Sequence, residues 1–145
     1  MPSVQVVPIS TASDEVVDAC HRLIPQLSQS SKAITKAELG EIVTSDATVM
    51  FVAKMDDDIV GLLTLAIFRV PTGIRAWIED VVVDEKARGQ GVGETLNKAA
   101  LMEARRRGAK TVDLTSRPSR EAANRLYQRI GFVRRDTNVY RFSTN

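Results

Sequence analysis

The segment VVVDEKARGQGVG, residues 81–93, determines how this chain is interpreted. An apolar triplet ends a predicted strand at residues 75–83, and a glycine-rich loop then leads directly into an amphipathic helix. Glycine lets the backbone approach a ligand closely, and the unpaired amides and dipole of a helix N-terminus attract anions. The segment therefore predicts a phosphate or pyrophosphate site, formed by Arg88, Gly89, Gln90, Gly91, Val92 and Gly93.

Two well-known nucleotide-binding motifs do not fit this loop. A P-loop requires Gly-Lys-Ser/Thr, where this chain has Gly93-Glu94-Thr95. A dinucleotide fingerprint starting at Gly89 requires glycine or alanine where Glu94 stands. The sequence thus argues against a P-loop NTPase and against a Rossmann dehydrogenase.

Length and composition predict one globular domain covering residues 1–145, with 43% hydrophobic and 26% charged residues. No apolar run reaches the roughly 18 residues of a membrane span, and the first residues lack the regions of a signal peptide, so we expect a cytoplasmic protein without a membrane partner. The net charge of +2 does not indicate nucleic acid. Cys20 and His21 are single residues of their types, so we expect neither a disulfide nor a metal site.

Working outward from the loop, hydrophobic periodicity predicts the order β-α-α-β-β-β-α-β-α-β-β. Thr35 and Glu38 form a capping-box signature, and the run Asp56 to Asp58 is typical of a hairpin turn rather than of a metal site. Six of these seven strands are assigned to residues 4–9, 49–54, 59–70, 75–83, 111–115 and 137–142, and the predicted helices begin near residues 13, 35, 92 and 119.

Two motifs resemble the GNAT superfamily of N-acetyltransferases. Arg88-x-x-Gly91-x-Gly93 after an apolar strand is similar to the acetyl-CoA signature of that superfamily. The stretch NRLYQRIGF, residues 124–132, resembles its second signature, an asparagine and a tyrosine on a helix that ends in Gly-Phe. The resemblance covers nearly the whole chain and implies an α/β (α+β) fold. A mixed, mostly antiparallel sheet of six to seven strands would be flanked by about four helices.

The resemblance also implies where acetyl-CoA binds. In the superfamily the pantetheine arm lies between two splayed parallel strands, which correspond here to residues 78–83 and 111–115. Val81, Val82 and Val83 would contact the arm, and Asn124 would meet it from the other side. The gap leaves unpaired backbone groups that an amide-containing arm satisfies. The Val81 amide would also stabilise the oxyanion.

The implied reaction is direct attack of a primary amine, on a small molecule or a peptide, on the thioester without an acyl-enzyme. The acids available for general base catalysis in the cofactor strand are Glu79 and Asp80. We favour Glu79, while Asp80 or a water chain stays open. The segment Ile78-Glu79-Asp80 also resembles glucosamine-phosphate and polyamine acetyltransferases of this superfamily. Tyr127 is the candidate general acid, whereas Cys20, on an apolar stripe, is interpreted as a buried inert thiol.

Two other hypotheses stay open on the sequence, an acetyl-CoA-binding sensor without turnover and an anion- or nucleic-acid-binding protein using the arginines of the second half. Tyr127 and Glu79 favour the enzyme, and no aromatic platform accompanies Arg105 to Arg107. The sequence does not identify the amine acceptor, nor whether the acyl group is strictly acetyl. The β-rich residues 137–142 predict a sheet edge on which a second copy could pair, giving a homodimer.

Overall fold

Five strands form one sheet in chain order: β1 (Gln5–Pro8), β2 (Thr48–Met55), β3 (Asp58–Val70), β4 (Gly73–Val83) and β5 (Thr111–Asp113). The pairings β1–β2, β2–β3 and β3–β4 are antiparallel, and β5 pairs with β4 in parallel. The structure, a computed structural model, describes residues 3–145. The mixed, mostly antiparallel sheet is confirmed, with five strands in place of the predicted six to seven.

The helices lie close to where periodicity predicts them: α1 (Asp14–Leu27), α2 (Lys36–Thr44), α3 (Val92–Arg106) and α4 (Glu121–Arg129), with a short 3₁₀ turn at Glu85–Ala87. Helix α4 begins later than predicted, after Arg120, which forms no side-chain cap. Helix α2 begins at the predicted capping box, because Thr35 Oγ1 accepts from the Glu38 amide and Glu38 Oε1 accepts from the Thr35 amide. The chain divides into two units, Met1–Thr115 and Ser116–Asn145. The sheet, α1, α2 and α3 belong to the first unit, and α4 belongs to the second.

The first unit has helices on both faces of its sheet. Helices α1 and α2 pack on one face, where a buried cluster joins Cys20, Leu23 and Leu39 to Leu62 and Val82 of the sheet. Helix α3 packs on the other face and lies close to β3 at Gly61, where an added Cβ would meet Leu96 and Val92. The glycine-rich loop before α3 is thus fixed to the sheet at the end of β4.

The hairpin between β2 and β3 is the predicted tight turn. Asp56 and Asp57 both have positive φ values, 50° and 70°, which a two-residue turn between right-twisted strands requires. Aspartate tolerates this region better than most residues because its side chain can hydrogen-bond locally. The acidic run is therefore explained by backbone geometry.

The predicted last strand is wrong. Residues 132–145, all within the described range, adopt no helix or strand. Val139, Tyr140 and Phe142 are 69%, 89% and 89% exposed, so these apolar side chains are not part of a buried core. A β-rich sequence becomes a strand only when a neighbouring ladder and an apolar face receive it, because β propensity measures packing more than backbone preference.

We expect Gly61→Ala to destabilise the protein by about 1–3 kcal/mol, because overpacking a close contact forces a shift. The added methyl group would lie 2.9 Å from Leu96 Cδ1 and 3.0 Å from Val92 Cγ1. The matched control is Gly40→Ala, in the interior of α2 with nothing within 4 Å, which should stabilise by roughly 0.5–1 kcal/mol. Urea unfolding midpoints measure both changes, and equal shifts of the same sign would contradict the close packing of α3 on β3.

Candidate active site

The glycine-rich loop adopts the backbone conformation that the sequence indicates. Gly89 and Gly91 have φ values of 79° and 82°, which is the left-handed region that L side chains rarely adopt. Gly91 is the N-cap of α3, and no side chain caps that helix. A helix start that carries two left-handed glycines and lacks the usual Ser, Thr, Asp or Asn cap gives up local stability, as expected where the backbone itself binds a ligand.

Three backbone amides at the start of α3 are free to bind an anion. Within the described chain, the amides of Gly91, Val92 and Gly93 donate no hydrogen bond. A Cβ built at Gly89 or Gly91 meets nothing within 4 Å, so the space above the loop is open. Unpaired amides and the positive end of the α3 dipole point at the same place. These residues fit a pyrophosphate, and the exposed Arg88 guanidinium stands beside them with its Nε 3.3 Å from the Val83 carbonyl oxygen.

One edge of β4 has no strand partner next to the loop. The parallel pairing with β5 joins Arg75 to Thr111 and ends with Trp77 opposite Asp113. Among residues 3–145, no strand pairs with β4 on that side from residue 78 to residue 83. Val81 and Val83 are half-buried there, while the Val82 side chain packs in the core. An unpaired edge of this length fits an extended, amide-containing group such as pantetheine.

A network from α1 fixes the chain between β4 and the loop, and sequence reasoning missed it. Asp84 is 8% exposed and accepts from Arg22 Nη1 at 3.0 Å and from the Lys86 amide at 3.2 Å. Gln26 Oε1 accepts from the Glu85 amide at 3.0 Å. Gln26 and Glu85 are 59 residues apart in sequence and Arg22 and Asp84 are 62 apart, so no local sequence pattern indicates these contacts. The bonds hold the 3₁₀ turn and therefore set the position of the glycine loop.

Asn97, on α3, is a second residue that sequence reasoning missed. It is fully buried, and its Nδ2 donates to the Gly93 carbonyl at 2.8 Å, so it supports the last glycine of the loop. Its Oδ1 is buried without a partner among the described residues. The sequence did contain a signal for this residue. Asn97 lies next to Leu96 on the apolar face of the helix, where a polar side chain is unusual.

A β-bulge lies in β4 at the two candidate acids. Leu62 pairs with Val82 while Thr64 pairs with Glu79, so Asp80 and Val81 together lie opposite one residue of β3. Asp80 has a φ of 51°, in the left-handed region, which is uncommon for a residue other than glycine. Glu79 shares a face with Thr64 because directly paired residues point the same way. In a regular strand, neighbouring residues such as Glu79 and Asp80 point to opposite faces of the sheet. The bulge interrupts this alternation, so the alternation does not decide which face each acid occupies.

A cavity of about 640 Å³ opens on the same face of the sheet, entirely within the first unit. Asp80 lines it and Glu79 adjoins it through Thr64, a lining residue. His21 Nε2 donates to the Ile34 carbonyl oxygen at 2.7 Å, which ties the segment before α2 to α1 across one wall. The cavity is lined by Cys20, His21, Ile24, Pro25, Ser31, Lys32, Ala33, Ile34, Glu38, Glu41, Ile42, Ser45, Thr48, Met50, Leu62, Thr64 and Asp80.

Cys20 lines this cavity and is 3% exposed. Burial raises the pKa of its thiol above the usual value, so the sulfur stays protonated at neutral pH. A buried, protonated thiol is a weak nucleophile. This environment supports the interpretation of Cys20 as inert.

The second motif lies on α4, in the other unit. Tyr127 is 7% exposed, and its ring packs edge-on against Phe132 with centroids 5.7 Å apart. Burial raises the pKa of the Tyr127 phenol, and nearby Arg120 acts weakly in the opposite direction. Asn124 Nδ2 donates to the Arg117 carbonyl at 3.0 Å, which leaves its Oδ1 as the acceptor available to a ligand. Both side chains are thus held in defined positions within their own unit.

Two of the three consecutive arginines in the second half of the chain have partners in the chain. Arg106 and Arg107 both bind Glu103, and Arg107 also donates to the Asp46 carbonyl at 2.7 Å. Across residues 3–145 no group of three or more His, Cys, Asp or Glu residues could hold a metal ion. In that same range, none of the helices has the length and apolarity needed to span a bilayer.

The structure thus joins an unpaired edge of β4 to a glycine loop at the N-terminus of α3. The sequence profile of the "Acetyltransferase (GNAT) family" matches residues 17–132 of the chain. The chain therefore belongs to the GNAT acetyltransferase family, as the resemblance predicts.

Several known proteins with similar sequence or structure carry acetyltransferase names. N-alpha-acetyltransferase 30 of Schizosaccharomyces pombe is 34% identical over 74 residues, 51% of this chain and 49% of that protein. The match thus spans about half the length of this curated relative. Two solved structures have the same fold. The aminoglycoside acetyltransferase meta-AAC0020 from an uncultured soil metagenomic sample, in complex with trehalose, has a TM-score of 0.84 at 19% identity, covering 98% of this chain and 96% of that chain. Aminoglycoside N-acetyltransferase AAC(6')-Iy in complex with CoA has a TM-score of 0.82 at 17% identity, covering 99% and 96%.

Proposed function

We propose that this protein is an acetyl-CoA-dependent N-acetyltransferase that acts on a primary amine of a small molecule or peptide without forming an acyl-enzyme. The observation that carries the proposal is the unpaired edge of β4 at residues 78–83, which continues into the left-handed glycines before α3. Membership of the GNAT family supports the cofactor. The relative from S. pombe is named for acetylation of α-amino groups, which supports an amine as the acceptor.

In this proposal the chain binds acetyl-CoA through two backbone surfaces. Arg88, Gly89, Gln90, Gly91, Val92 and Gly93 bind the pyrophosphate, using the amides and the guanidinium described above. Val81, Val82 and Val83 hold the pantetheine arm along the free β4 edge, and Asn124 Oδ1 is the group that would accept from the arm. When bound, acetyl-CoA supplies the acetyl group as a thioester.

The chemistry assigned to side chains is proton transfer. Glu79, on the cavity face of β4, removes a proton from the acceptor ammonium directly or through water, since an alkyl amine with a pKa near 10.4 attacks only when neutral. A C–N bond then forms as the C–S bond breaks, and the attacking nitrogen releases its second proton to the departing sulfur or to solvent. The Val81 amide stabilises the oxyanion, and the Tyr127 hydroxyl donates to the departing sulfur. The role of Tyr127 rests on its place in the second motif.

We also propose that both units belong to one acetyltransferase domain covering residues 1–145. The family profile runs from residue 17 to residue 132 and therefore crosses the division between Thr115 and Ser116. The cytoplasmic location expected from the sequence stays a prediction.

The test of the function is acetyl-CoA-dependent thermal stabilisation, followed by thiol release with a panel of primary amines. Amine-dependent thiol release, with the N-acetyl product identified by mass spectrometry, would support the enzyme. Stabilisation by acetyl-CoA with no turnover on any amine would favour the alternative, a GNAT-like sensor. Absence of both would contradict the site itself.

We propose further that the chain forms a homodimer through residues 137–142. Tyr140 and Phe142, both 89% exposed, and Val139 would be covered by a second copy, which would also pair the exposed backbone. Light scattering at working concentration should give twice the mass of the 15.9 kDa chain. Replacing Tyr140 and Phe142 together with lysine should return the mass to that of one chain. A monomeric mass for the unmodified protein would contradict the proposal.

A further inference from the structure

The cavity beside Asp80 combines an apolar floor with an acidic rim. The floor includes Met50 and Leu62, which are 6% and 1% exposed, and Ile34 closes a wall. A volume of about 640 Å³ lies in the usual range for small-molecule sites, roughly 300–1,000 Å³. An apolar floor is suited to a carbon chain, and the polar groups of the ligand would then lie at the rim.

The rim carries more negative than positive charge. Three carboxylates line the cavity, Glu38 and Glu41 from α2 and Asp80 from β4, against one lysine, Lys32. The Thr35 amide and hydroxyl, which bond to Glu38, hold the pKa of that carboxyl below its usual value, so it is charged at neutral pH. Lys32 interacts with Glu38, and its positive charge offsets the negative charge of that carboxylate. Glu41 and Asp80, one on each side of the cavity, form no ion pair with any residue of the described chain.

We infer that this cavity binds the acetyl acceptor and that the acceptor is an aliphatic diamine. The inference rests on the proposed function and adds the substrate class. The reacting ammonium lies at Asp80, beside Glu79 on β4, the second ammonium lies at Glu41 on α2, and the methylene chain covers the apolar floor. An amine with a carboxylate at its far end would instead place like charges together, which costs affinity.

Direct binding of three probes of matched length tests this assignment: 1,5-diaminopentane, pentylamine and 5-aminopentanoate. Calorimetric titration into the full chain with acetyl-CoA replaced by CoA should give the tightest binding for the diamine. We expect pentylamine to bind about fivefold weaker and 5-aminopentanoate at least about tenfold weaker, since exposed ion contacts each contribute up to about a factor of five. The differences should shrink at high salt.

Two variants separate the ends of the cavity. Asp80→Asn should weaken diamine and pentylamine alike, because both place an ammonium at β4. Glu41→Gln should weaken the diamine more than pentylamine and so reduce the ratio of their affinities to near one. The matched control is Glu15→Gln, an exposed acid of α1 that does not line the cavity, which should keep the ratio.

Each result bears on one proposal only. Diamine binding that Glu41→Gln weakens, with no thiol release, would support the cavity assignment and contradict the enzyme. Turnover with a preference for 5-aminopentanoate, or a diamine affinity unaffected by both cavity variants, would overturn the diamine assignment and leave the acetyltransferase standing. Failure of the diamine to bind at all would also overturn it.

Discussion

Replacing Gly91 with aspartate is expected to raise the Kd for acetyl-CoA at least about a hundredfold, about 2.8 kcal/mol, while the chain stays folded. At an effective dielectric of about 20, two unit charges about 4 Å apart repel by roughly 4 kcal/mol, and solvent screening at this exposed loop lowers that figure. The carboxylate would also fill the open space over the loop. Calorimetric titration with acetyl-CoA measures the loss.

The fold should tolerate this change for a structural reason. Gly91 has a φ of 82°, a left-handed conformation that costs an L residue about 1–2 kcal/mol, but aspartate is one of the residues that visit this region. The thermal midpoint without ligand should therefore fall only modestly. A large loss of stability would mean that the glycine serves the fold and not the cofactor.

Gly91→Asn is the matched control for charge, since asparagine has nearly the same size and the same tolerance of positive φ. Gly91→Asn should show only the loss of affinity that arises because a side chain blocks the approach of the ligand to the backbone. Raising the salt concentration from about 0.1 M to 1 M shortens the Debye length from roughly 10 to 3 Å, so it should reduce the gap between the two variants. An unchanged affinity in Gly91→Asp would show that the pyrophosphate binds elsewhere.

Local sequence patterns predicted most of the fold because the elements concerned carry local signals. The capping box at Thr35 and Glu38, the glycines before α3 and the acidic turn at Asp56 each act within a few residues. The segment 137–142 failed because a strand needs a partner, and alternation alone cannot supply one. Periodicity therefore predicted where chain segments are regular, but not whether a strand pairs.

The site was predictable in its backbone part and less so in its side chains. Residues 88–93 indicate an anion site through composition, whereas the bulge at Asp80 arises from the register between β3 and β4 and leaves no pattern in either strand. Strict alternation would place Glu79 and Asp80 on opposite faces, yet Asp80 lines the cavity that Glu79 adjoins. The Arg22–Asp84 ion pair also leaves no local sequence pattern, because its residues are 62 apart and only tertiary folding brings them together.

Replacing Tyr127 with phenylalanine is expected to lower kcat by roughly tenfold to a hundredfold with little change in the affinity for acetyl-CoA. A hydrogen bond to a charged group is worth about 1.5–3 kcal/mol, and each 1.36 kcal/mol corresponds to about tenfold in rate. Burial raises the pKa of this phenol, which makes complete proton transfer to a thiolate of pKa near 8.5 more uphill. The hydroxyl therefore acts first as a hydrogen-bond donor, and the loss should lie at or below the low end of the roughly 10² to 10⁴ range of general acids.

The pH profile distinguishes this role from simple packing. A donor must keep its proton, and a phenol with a raised pKa stays protonated at a higher pH than an ordinary tyrosine, whose pKa is about 10. The unmodified enzyme should thus hold its kcat through about pH 10 and lose it only above that pH, whereas Tyr127→Phe should be slower throughout and lack that alkaline limb. Saturating amine and acetyl-CoA are needed, so that deprotonation of the free amine does not enter.

The chain provides a matched control in its other tyrosine. Tyr140 is 89% exposed, so Tyr140→Phe should leave kcat unchanged. Phenylalanine at position 127 keeps the edge-on contact with Phe132 at 5.7 Å, and urea unfolding of both variants checks that packing survives. If Tyr127→Phe matched the unmodified enzyme in kcat and in its alkaline limb, the hydroxyl would have no part in the reaction. The proton for the sulfur would then have to come from solvent or from the attacking nitrogen, because the ring alone cannot supply one.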